Sequence, residues 1–321
     1  MKLSLPEVLI LGSQFDLTCD FVVAKLRSLK CNYLRINTED LPSSNISLDP
    51  VKCRIEINLN QKSYLLSPAK VKSVLFRRPV FVRSIADPTE HAVQTFEREQ
   101  WAAFVRNLMI LDTSTWVNHP ASTYYAEHKA LQLQIAHRLG FNVPNTLVTN
   151  YAAAINKDMV RNSKIVFKGL ETVLVREENT ETFAFTQFID VGELEKQEIK
   201  SAPVIFQEPI TPKIDIRVTV IGNSVFAAAV LASGQGIPHD WRVEKKQAYF
   251  EKYELPPEIE HKCIKLIQKL NLNYGAIDLV YAENRYYFLE INPTGEWAWL
   301  IDAAGLPIDD AIAGFLAHPR I

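Results

Sequence analysis

The stretch GAIDLVYAENRYYFLEIN, residues 275–292, sets two alternating apolar runs on either side of a short polar turn. Alternation with a period of two indicates β-strands, and a short turn between two such strands indicates a hairpin. We predict a three-residue turn centred on Asn284, because turns of this length are common in hairpins. That turn places Tyr281 opposite Tyr287. The hairpin also carries two carboxylates and an asparagine in an otherwise apolar, aromatic setting.

Three polar side chains of this hairpin converge on one face. The same turn places Asp278 opposite Glu290, and Asn292 follows at strand spacing, so all three project to one side of the sheet. Carboxylate and amide oxygens are hard ligands that suit Mg²⁺. A polar cluster on a solvated face is the alternative, but directly opposed carboxylates repel each other unless a cation lies between them. A two-residue turn would shift the register and weaken the prediction of a metal site.

Sites in which few carboxylates hold Mg²⁺ are typical of nucleotide phosphates, and such sites also require basic side chains. Lys129 lies at a predicted helix start in YYAEHKALQLQ, and Lys168 lies at a strand end in KIVFKGLE. A surface lysine is the alternative for each of them taken alone. Arg217 lies within the apolar alternation IDIRVTVIG, where a buried guanidinium requires an anionic partner.

The composition is that of an ordinary globular protein and argues against some classes of function. The chain has 321 residues, of which 47% are apolar and 22% charged, with a formal net charge of −2. Without a global basic field, nucleic acid is not expected as the main partner. The sequence contains no run long enough to span a membrane, and its start, MKLSLPEVLILGSQFD, resembles a first strand more than a signal peptide. Four cysteines without a CxxC pair indicate free thiols. We therefore expect a cytoplasmic protein.

The chain divides into three predicted domains. Residues 1–117 alternate strand and helix patterns and predict an α/β domain. Residues 118–200 contain a helical run from about 125 to 139, ended by Gly140, and then short strands, which predict a lid-like α+β domain. Residues 201–321 are rich in strand patterns and include the hairpin. The patterns of the first domain are strands at 7–13, 32–37 and 71–79, a hairpin at 52–68, and helices at 19–29 and 89–111.

The motifs after about residue 115 resemble those of ATP-grasp ligases, in the family's order. The matching segments are EHKALQLQIAHRLGFNVPNTLVTN with Lys129, IVFKG with Lys168, FQEPI (206–210), DIRVTVIG (215–222) and AIDLV…FLEINPTGEW. Within that superfamily the chain resembles graspetide-type peptide macrocyclases, the microviridin-like and grasp-with-spasm maturases. The segments that carry this narrower resemblance are LFRRP, VPNTLVTN, DWR (240–242) and EINPTGEWAWL.

The resemblance implies an ATP-grasp fold of mixed α/β and α+β type, with an N-terminal α/β lobe, a central lid lobe and a C-terminal β-rich lobe for ATP and metal. It implies ATP and Mg²⁺ as cofactors, and as partner a precursor peptide with a leader, recognised by the central lobe, and an acidic, Thr-containing core. Asp or Glu side chains of such a peptide become acyl phosphates, and Thr or Ser hydroxyls or Lys amines attack them to give ω-ester or ω-amide rings. A homodimer is also implied. The family's loop after the second lysine is rich in Gly and Ser, whereas KGLETVLVREE has a single glycine.

The resemblance also assigns roles to individual residues that hold the nucleotide. Lys129 and Lys168 bind phosphates. The backbone of Glu208 and Ile210 forms the adenine hinge. Asp215 holds the ribose, with an ordinary strand-entry aspartate as the alternative.

The remaining assignments concern the metal, the chemistry and the peptide. The ligands of the Mg²⁺ ions are Asp278, Glu290 and Asn292. The catalytic set consists of Arg217 on the acyl phosphate, Arg242 on the acyl phosphate or the substrate carboxylate, and Glu296 as a further acidic group by the metal or as a base for the nucleophile. The arginines that face the acidic core peptide are Arg77, Arg78 and Arg83, with a solvated charge pair as the alternative. The segment EWAWL either walls the site or belongs to the core.

Three functions remain open from the sequence. The first is the peptide macrocyclase, which FRRP and GEWAW favour. The second is a ligase that adds a free amino acid to a protein tail or small acceptor, like the glutamate ligases of the same superfamily. The third is a nucleotide-binding module without catalysis, which predicts the loss of a metal ligand or a phosphate lysine, whereas none is missing.

Overall fold

The computed structural model describes residues 3–77, 92–171, 174–177, 180–183, 186–194, 199–238 and 247–319. Its strands are β1 (Val8–Gly12), β2 (Tyr33–Asn37), β3 (Asn45–Asp49), β4 (Arg54–Leu59), β5 (Lys62–Leu66), β6 (Ser73–Phe76), β7 (Thr115–Val117), β8 (Thr146–Thr149), β9 (Lys164–Lys168), β10 (Leu174–Glu177), β11 (Thr180–Phe183), β12 (Gln187–Asp190), β13 (Val204–Gln207), β14 (Ile214–Ile221), β15 (Ser224–Ala232), β16 (Gln235–Gly236), β17 (Tyr249–Lys252), β18 (Tyr274–Ala282) and β19 (Arg285–Asn292). Its α-helices are α1 (Leu17–Ser28), α2 (Ala92–Asn107), α3 (Pro120–Ala126), α4 (Lys129–Arg138), α5 (Val191–Leu194), α6 (Pro257–Lys269), α7 (Trp299–Ala304) and α8 (Ile308–Ala317). In these ranges, no helix combines the length and the apolar character needed to cross a membrane.

The N-terminal region forms a parallel sheet with the strand order β2-β1-β6-β7. All residues of β1 are buried, which is typical of a central parallel strand covered on both faces. One face packs against α1 and α8 through a core that includes Val22, Leu26 and Ile312. The other face packs against α2 and the antiparallel sheet β3-β4-β5. Within the described residues, the predicted strand and helix patterns of this region are confirmed, and β3 and β7 are strands that no pattern predicted.

The end of the chain packs against its beginning. Lys25 of α1 forms an ion pair with Asp310 of α8 at 2.7 Å. Trp297 is 1% exposed and packs in the same core, with its ring centroid 6.5 Å from that of Phe21. The segment EWAWL therefore contributes its first tryptophan to the core, and it ties the residues after β19 to the N-terminal sheet.

Four antiparallel strands form the central sheet, in the order β12-β9-β13-β8. Strand β13 follows the predicted boundary at residue 200 but pairs with β8 and β9, which precede that boundary. Strand pairing depends on residues that are distant in sequence, and a local pattern does not reveal it. The sheet has a small core of its own, around Met159, Ile165 and Phe206.

The C-terminal sheet has the order β16-β15-β14-β18-β19, with β17 paired to β15. Helix α6 covers one face, where the apolar residues Ile216, Val218 and Val220 of β14 are buried. Asp215 and Arg217 alternate with them and therefore project from the opposite face. That opposite face is the floor of a cleft.

The helix predicted over residues 125–139 is two helices, α3 and α4. The buried amide of Gln132 donates to the backbone oxygen of Ala126 at 2.6 Å and to that of Ile291 at 2.8 Å. These two bonds satisfy the carbonyl oxygen of the last residue of α3 and attach α4 to β19. The helix can therefore be interrupted between α3 and α4 without leaving that carbonyl unpaired. The break places Lys129 at the first position of α4, beside the hairpin.

The four cysteines are free thiols, as predicted. Burial raises the pKa of Cys19 and that of Cys263 to about 12. Both thiols therefore stay protonated at neutral pH, which makes them poor nucleophiles.

Candidate functional site

The hairpin of β18 and β19 turns more tightly than predicted. Glu283 and Asn284 have φ angles of 50° and 59°, the left-handed conformation that a two-residue hairpin turn of this type requires at both positions. Tyr281 is consequently paired with Tyr286, so the predicted pairing of Tyr281 with Tyr287 is wrong. In a regular ladder, this shift of one residue would turn the Glu290 side chain to the core face of the sheet.

A β-bulge at Leu289 reverses that shift. Leu279 pairs with Phe288, whereas the preceding residue of β18, Asp278, pairs with Glu290. Leu289 is therefore the extra residue of β19. Phe288 is fully buried in the core beneath α6, whereas the Glu290 side chain is 28% exposed and lines the cleft. The predicted opposition of Asp278 and Glu290 is therefore confirmed, but a bulge rather than a three-residue turn produces it.

A cleft of about 860 Å³ lies between the central and C-terminal sheets. Apolar side chains form much of its wall, among them Val166, Phe188, Val230 and Leu289. The predicted site residues that line it are Lys168, Glu208, Ile210, Asp215, Arg217, Asp278 and Glu290. An apolar slot with a few convergent polar groups is the usual form of a small-molecule site.

Three polar residues of this cleft are absent from the sequence predictions, namely Thr186, Gln207 and Lys213. The amide oxygen of Gln207 accepts a hydrogen bond from Lys168 Nζ at 3.1 Å, and both side chains are buried. Lys213 is ion-paired with Asp215, and its side chain is only 9% exposed. Lys213, Asp215 and Arg217 are spaced two apart, so strand alternation could have identified Lys213. Gln207 gives a weaker signal, because it only marks the end of an apolar run.

The predicted hinge forms one edge of the cleft. The Glu208 carboxylate accepts a hydrogen bond from Asn145 Nδ2 at 2.9 Å and is also paired with Arg161. The backbone N–H of Glu208 donates to the Asn145 carbonyl at 2.9 Å. The side chain of Glu208 therefore holds the hinge against the central sheet, which is consistent with ligand binding through the backbone of the hinge.

Lys129 lies where this cleft meets a second one. Its ammonium lies 3.5 Å from Glu290 Oε2 and donates to the Gly169 carbonyl at 3.2 Å. Lys129, Asn292 and Thr294 line the second cleft, which shares Glu290 with the first. The amide oxygen of Asn292 accepts a hydrogen bond from the Thr294 N–H at 2.9 Å. Asn292 therefore also shapes the turn that follows β19.

Arg217 lies directly opposite Asp278 in the pairing of β14 with β18. Its Nη1 donates to Asp278 Oδ1 at 2.8 Å, and its Nη2 donates to the backbone oxygen of Glu296 at 3.2 Å. Its Nε is buried and has no hydrogen-bond partner within the described residues. Burial acts to lower the pKa of Arg217, but Asp278, Tyr274 and Glu290 together outweigh burial, and the pKa is raised. The anionic partner predicted for this arginine is therefore Asp278, and the guanidinium stays charged.

Arg77 has a different setting from the predicted substrate contact. Its side chain is 5% exposed, and its Nη2 pairs with Glu296 Oε1 at 2.9 Å. Its Nη1 donates to the Thr294 carbonyl at 3.0 Å, and its Nε donates to Thr18 Oγ1 at 2.7 Å. Burial acts to raise the pKa of Asp16, but Arg77 and Thr18 hold it below its ordinary value. Arg77 therefore joins the N-terminal sheet to the segment after β19. The hydrogen-bond donors named above are all occupied by groups of the protein.

Gly295 lies between the two arginines. A Cβ at this position would lie 2.6 Å from Arg217 Nη2 and 2.6 Å from the Cβ of Ala276. The Gly295 carbonyl accepts a hydrogen bond from the Tyr274 hydroxyl at 2.6 Å. Burial raises the pKa of Tyr274 to about 12, so this hydroxyl remains a donor at neutral pH. The segment after β19 therefore passes the Arg217 guanidinium at a distance that only glycine permits.

The opposed carboxylates of Asp278 and Glu290 supply oxygen ligands of the kind that Mg²⁺ prefers, on rigid neighbouring strands. Each has a basic neighbour, Arg217 for Asp278 and Lys129 for Glu290. The positive charges of these two basic side chains offset the repulsion predicted between the two carboxylates. That repulsion alone therefore does not require a metal ion. In the part of the chain that the structure describes, no three His, Cys, Asp or Glu side chains form a metal cluster. The donor set fits a cation that takes its remaining ligands from a bound molecule.

Three predicted residues lie outside the described residues, namely Arg78, Arg83 and Arg242. The loop that follows Lys168 is described only in part. Its strands β10 and β11 form a separate antiparallel pair.

Comparison with protein families and curated proteins gives two matches. A family model described as a RimK-like ATP-grasp domain matches residues 126–315, more than half of the chain. The tetrahydromethanopterin:alpha-L-glutamate ligase of Methanocaldococcus jannaschii is 31% identical over 99 residues, which are 30% of this chain and 33% of that protein. The chain therefore matches about a third of the length of this curated relative.

Several solved structures share the whole fold. The macrocyclase MdnC from Microcystis aeruginosa MRC, bound with precursor peptide MdnA, matches with a TM-score of 0.80 and 27% identity, over 96% of this chain and 98% of that chain. The macrocyclase MdnB from the same organism has a TM-score of 0.72 and 26% identity, over 97% of this chain and 99% of its own. The RiPP-associated ATP-grasp ligase of Chryseobacterium gregarium, in complex with ADP and a leader and core peptide, has a TM-score of 0.85 and 24% identity, over 98% of both chains.

Proposed function

The chain belongs to the RimK-like ATP-grasp family of ligases, and from this premise we propose that it is a peptide macrocyclase. It uses ATP to activate Asp or Glu side chains of a peptide and joins them to Thr or Ser hydroxyls, or to Lys amines, of the same peptide. The observation that carries the proposal is the common strand face on which Arg217, Asp278 and Glu290 line one cleft. A guanidinium beside paired carboxylates suits the transfer of a phosphoryl group, which depends on positioning and charge neutralisation.

We assign the cleft to the nucleotide. The apolar walls accept adenine, the hinge backbone at Ile210 bonds its edge, and Asp215 takes the ribose. Lys168 lies in the same cleft, and Lys129 lies 3.5 Å from Glu290. Their positions support a role in neutralising phosphate charge.

The metal ligands in this proposal are Asp278 and Glu290, with Asn292 as a third ligand if its amide oxygen is shared with the Thr294 N–H. Mg²⁺, when bound, supplies charge neutralisation and Lewis acidity to the phosphates. Lys129 and Arg217 hold the two carboxylates in place, which favours a preorganised site.

The reaction has two steps. A carboxylate oxygen of the peptide bonds to the γ-phosphorus of ATP, the bond to the ADP oxygen breaks, and ADP leaves. A hydroxyl or amine then attacks the acyl carbon, phosphate leaves with one former carboxylate oxygen, and the nucleophile loses its proton. Arg217 stabilises the negative charge on the phosphoryl oxygens, because its planar donors match them. Water must be excluded, since it would hydrolyse the acyl phosphate.

Glu296 is the proposed proton acceptor for the nucleophile. Its carboxylate is 62% exposed and is held on one oxygen by Arg77. Its backbone oxygen accepts from Arg217, so the acid is fixed beside the residue that contacts the acyl phosphate. Arg242, Arg78 and Arg83 remain proposed contacts for the acidic side chains of the peptide.

The likeness to MdnC, at 27% identity over 96% of the chain, supports a peptide substrate, because MdnC is bound with a precursor peptide. A leader contact at the central sheet and a homodimer are proposals of the same kind. The match to the glutamate ligase supports the second candidate, a ligase that adds a free amino acid. The second candidate requires an added amino acid for product formation, whereas the macrocyclase requires only peptide, ATP and Mg²⁺.

An oxygen-transfer experiment tests the activation chemistry. A candidate peptide, rich in Thr and acidic residues, is labelled with ¹⁸O in its side-chain carboxylates. Incubation with Mg²⁺ and ATP is expected to give phosphate that carries one ¹⁸O atom per bond formed. Unlabelled phosphate during peptide turnover would contradict an acyl phosphate.

Replacement of Gly295 with alanine is expected to slow peptide condensation at least tenfold. The added methyl group displaces the Arg217 guanidinium, whose Nη2 would lie 2.6 Å away, and such overpacking costs roughly 1–3 kcal/mol. Peptide mass spectrometry and thermal unfolding measure the two effects. The matched control is Gly314→Ala on α8, where a Cβ meets nothing within 4 Å. Equal condensation rates in the two variants would contradict the proposed position of Arg217.

A further inference from the structure

The carboxyl ends of β1 and β6 lie side by side in the N-terminal sheet. The chain leaves β1 toward β2 on one side, and β6 lies on the other side, so the strand order reverses between β1 and β6. In open parallel sheets, ligands bind outside the carboxyl ends of the strands at such a reversal. The residues at this point are the loop 13–16 after β1 and Arg77 after β6.

The loop after β1 is anchored although its apolar side chains are exposed. Ser13 Oγ donates to Glu39 Oε1 at 2.6 Å, and the Gln14 N–H donates to Glu39 Oε2 at 3.0 Å. The Phe15 N–H donates to Ser13 Oγ at 3.2 Å. Even so, the side chain of Phe15 is 76% exposed and that of Leu17 is 67% exposed. Exposed apolar side chains on a fixed backbone lose little entropy on binding and often mark contact surfaces.

One face of α1 packs against the part of the chain that follows β19, and this contact is called the seam here. Leu17, Phe21 and Lys25 are spaced four apart and therefore share one helix face. Phe21 packs near Trp297, and Lys25 forms its ion pair with Asp310. Leu17 continues this face beyond the packed contacts, so it lies at the open end of the seam. We call Phe15 and Leu17 the apolar rim.

The apolar rim is connected to the site through two ion pairs. Asp16, between the two rim residues, is paired with Arg77, and Arg77 pairs with Glu296. Arg217 separates the two sides of the site, because its Nη1 contacts Asp278 and its Nη2 contacts the Glu296 carbonyl. The rim is therefore connected to the site at Glu296, through Asp16 and Arg77.

We propose that the apolar rim binds the segment of the substrate peptide that carries the attacking hydroxyl or amine. The nucleotide occupies the side of Asp278, so a nucleophile that attacks the acyl carbon approaches from the side of Glu296. Phe15 and Leu17 bind an apolar residue next to the nucleophile and hold the hydroxyl or amine near Glu296. This inference rests on the proposed function, because it concerns the second substrate group of the same reaction.

A photo-crosslinking experiment tests the location. The full-length protein is prepared with p-benzoylphenylalanine at position 15, or at position 51 as a control. Val51 is 91% exposed on the turn after β3, so it presents an equally accessible site in the same region. With Mg²⁺ and a non-hydrolysable ATP analogue, position 15 is expected to crosslink to the candidate peptide and position 51 is not. Equal crosslinking at both positions, or none at position 15, would overturn the proposal.

Kinetics test the role. Phe15→Ser and Leu17→Ser are each expected to raise the KM for the peptide about tenfold, since each removes an apolar contact area of side-chain size. The KM for ATP and the kcat should stay as in the wild type, and Val51→Ser should change nothing. An unchanged KM for the peptide in both rim variants would overturn the inference. Failure of the wild-type protein to condense the peptide would instead count against the proposed function, and crosslinking reports on the rim without turnover.

Discussion

Glu290→Gln is expected to abolish peptide condensation while the protein stays folded. Glutamine keeps the shape of the side chain but removes the charge that faces Asp278 and lies 3.5 Å from Lys129. A neutral amide is a much poorer ligand for Mg²⁺ than a carboxylate. Metal ions at such sites supply several kcal/mol of charge stabilisation, so we expect the rate to fall by about a thousandfold.

The measurement is ADP release together with the peptide mass, at saturating ATP. The matched control is Glu283→Gln, because Glu283 is exposed at the turn of the same hairpin. Thermal unfolding provides a second test, since a ligand that binds the folded state raises its stability. Mg²⁺ and ATP together should stabilise the wild type and the control far more than Glu290→Gln. A Glu290→Gln protein with more than a third of the wild-type rate would refute the metal assignment.

Arg217→Lys is expected to lower the rates of ADP formation and condensation by about a hundred- to thousandfold, the range found when a positioned transition-state donor is removed. Lysine keeps the positive charge beside Asp278. Its ammonium group lacks the planar pair of donors with which the guanidinium contacts Asp278 and the Glu296 carbonyl at once. Because the pKa of Arg217 is raised, the arginine stays charged at working pH, and the wild-type rate should show no pH dependence from this residue.

The control for this variant is Arg285→Lys, on an exposed residue at the start of β19. Binding of a fluorescent ATP analogue separates the two roles of Arg217. We expect its dissociation constant to change less than threefold, since Lys129 and Lys168 remain in place. A large loss of nucleotide affinity with normal turnover at saturating ATP would show that Arg217 binds the ground state rather than the transferring phosphoryl group.

Only part of the hairpin could be predicted from the sequence. The alternation of apolar residues identified both strands, and the carboxylates on one face identified Asp278 and Glu290 as candidate metal ligands. The sequence did not reveal the two-residue turn at Glu283 and Asn284, nor the bulge at Leu289. These two departures cancel, so the prediction held for a reason that the sequence pattern did not contain. A bulge depends on packing on both faces of the sheet, here Phe288 against the core and Glu290 toward the cleft.

Arg77 shows a different limit. A double arginine at a strand end carries no signal that one member is buried, because its partners are distant in sequence. Asp16 and Glu296 are brought to it only when the segment after β19 packs against the N-terminal sheet. Lys213 could have been found, since its spacing from Arg217 follows the strand period, whereas the membership of β13 in the central sheet required the tertiary structure.

The most direct measurement is the intact mass of the candidate peptide after incubation with the wild-type protein, Mg²⁺ and ATP. We predict the loss of one water molecule per bond, dependent on ATP and without any added amino acid. A gain equal to an amino-acid residue, seen only when free amino acid is present, would contradict the macrocyclase and support the second candidate. Bound ATP with no change in the mass of the candidate peptide would also contradict it.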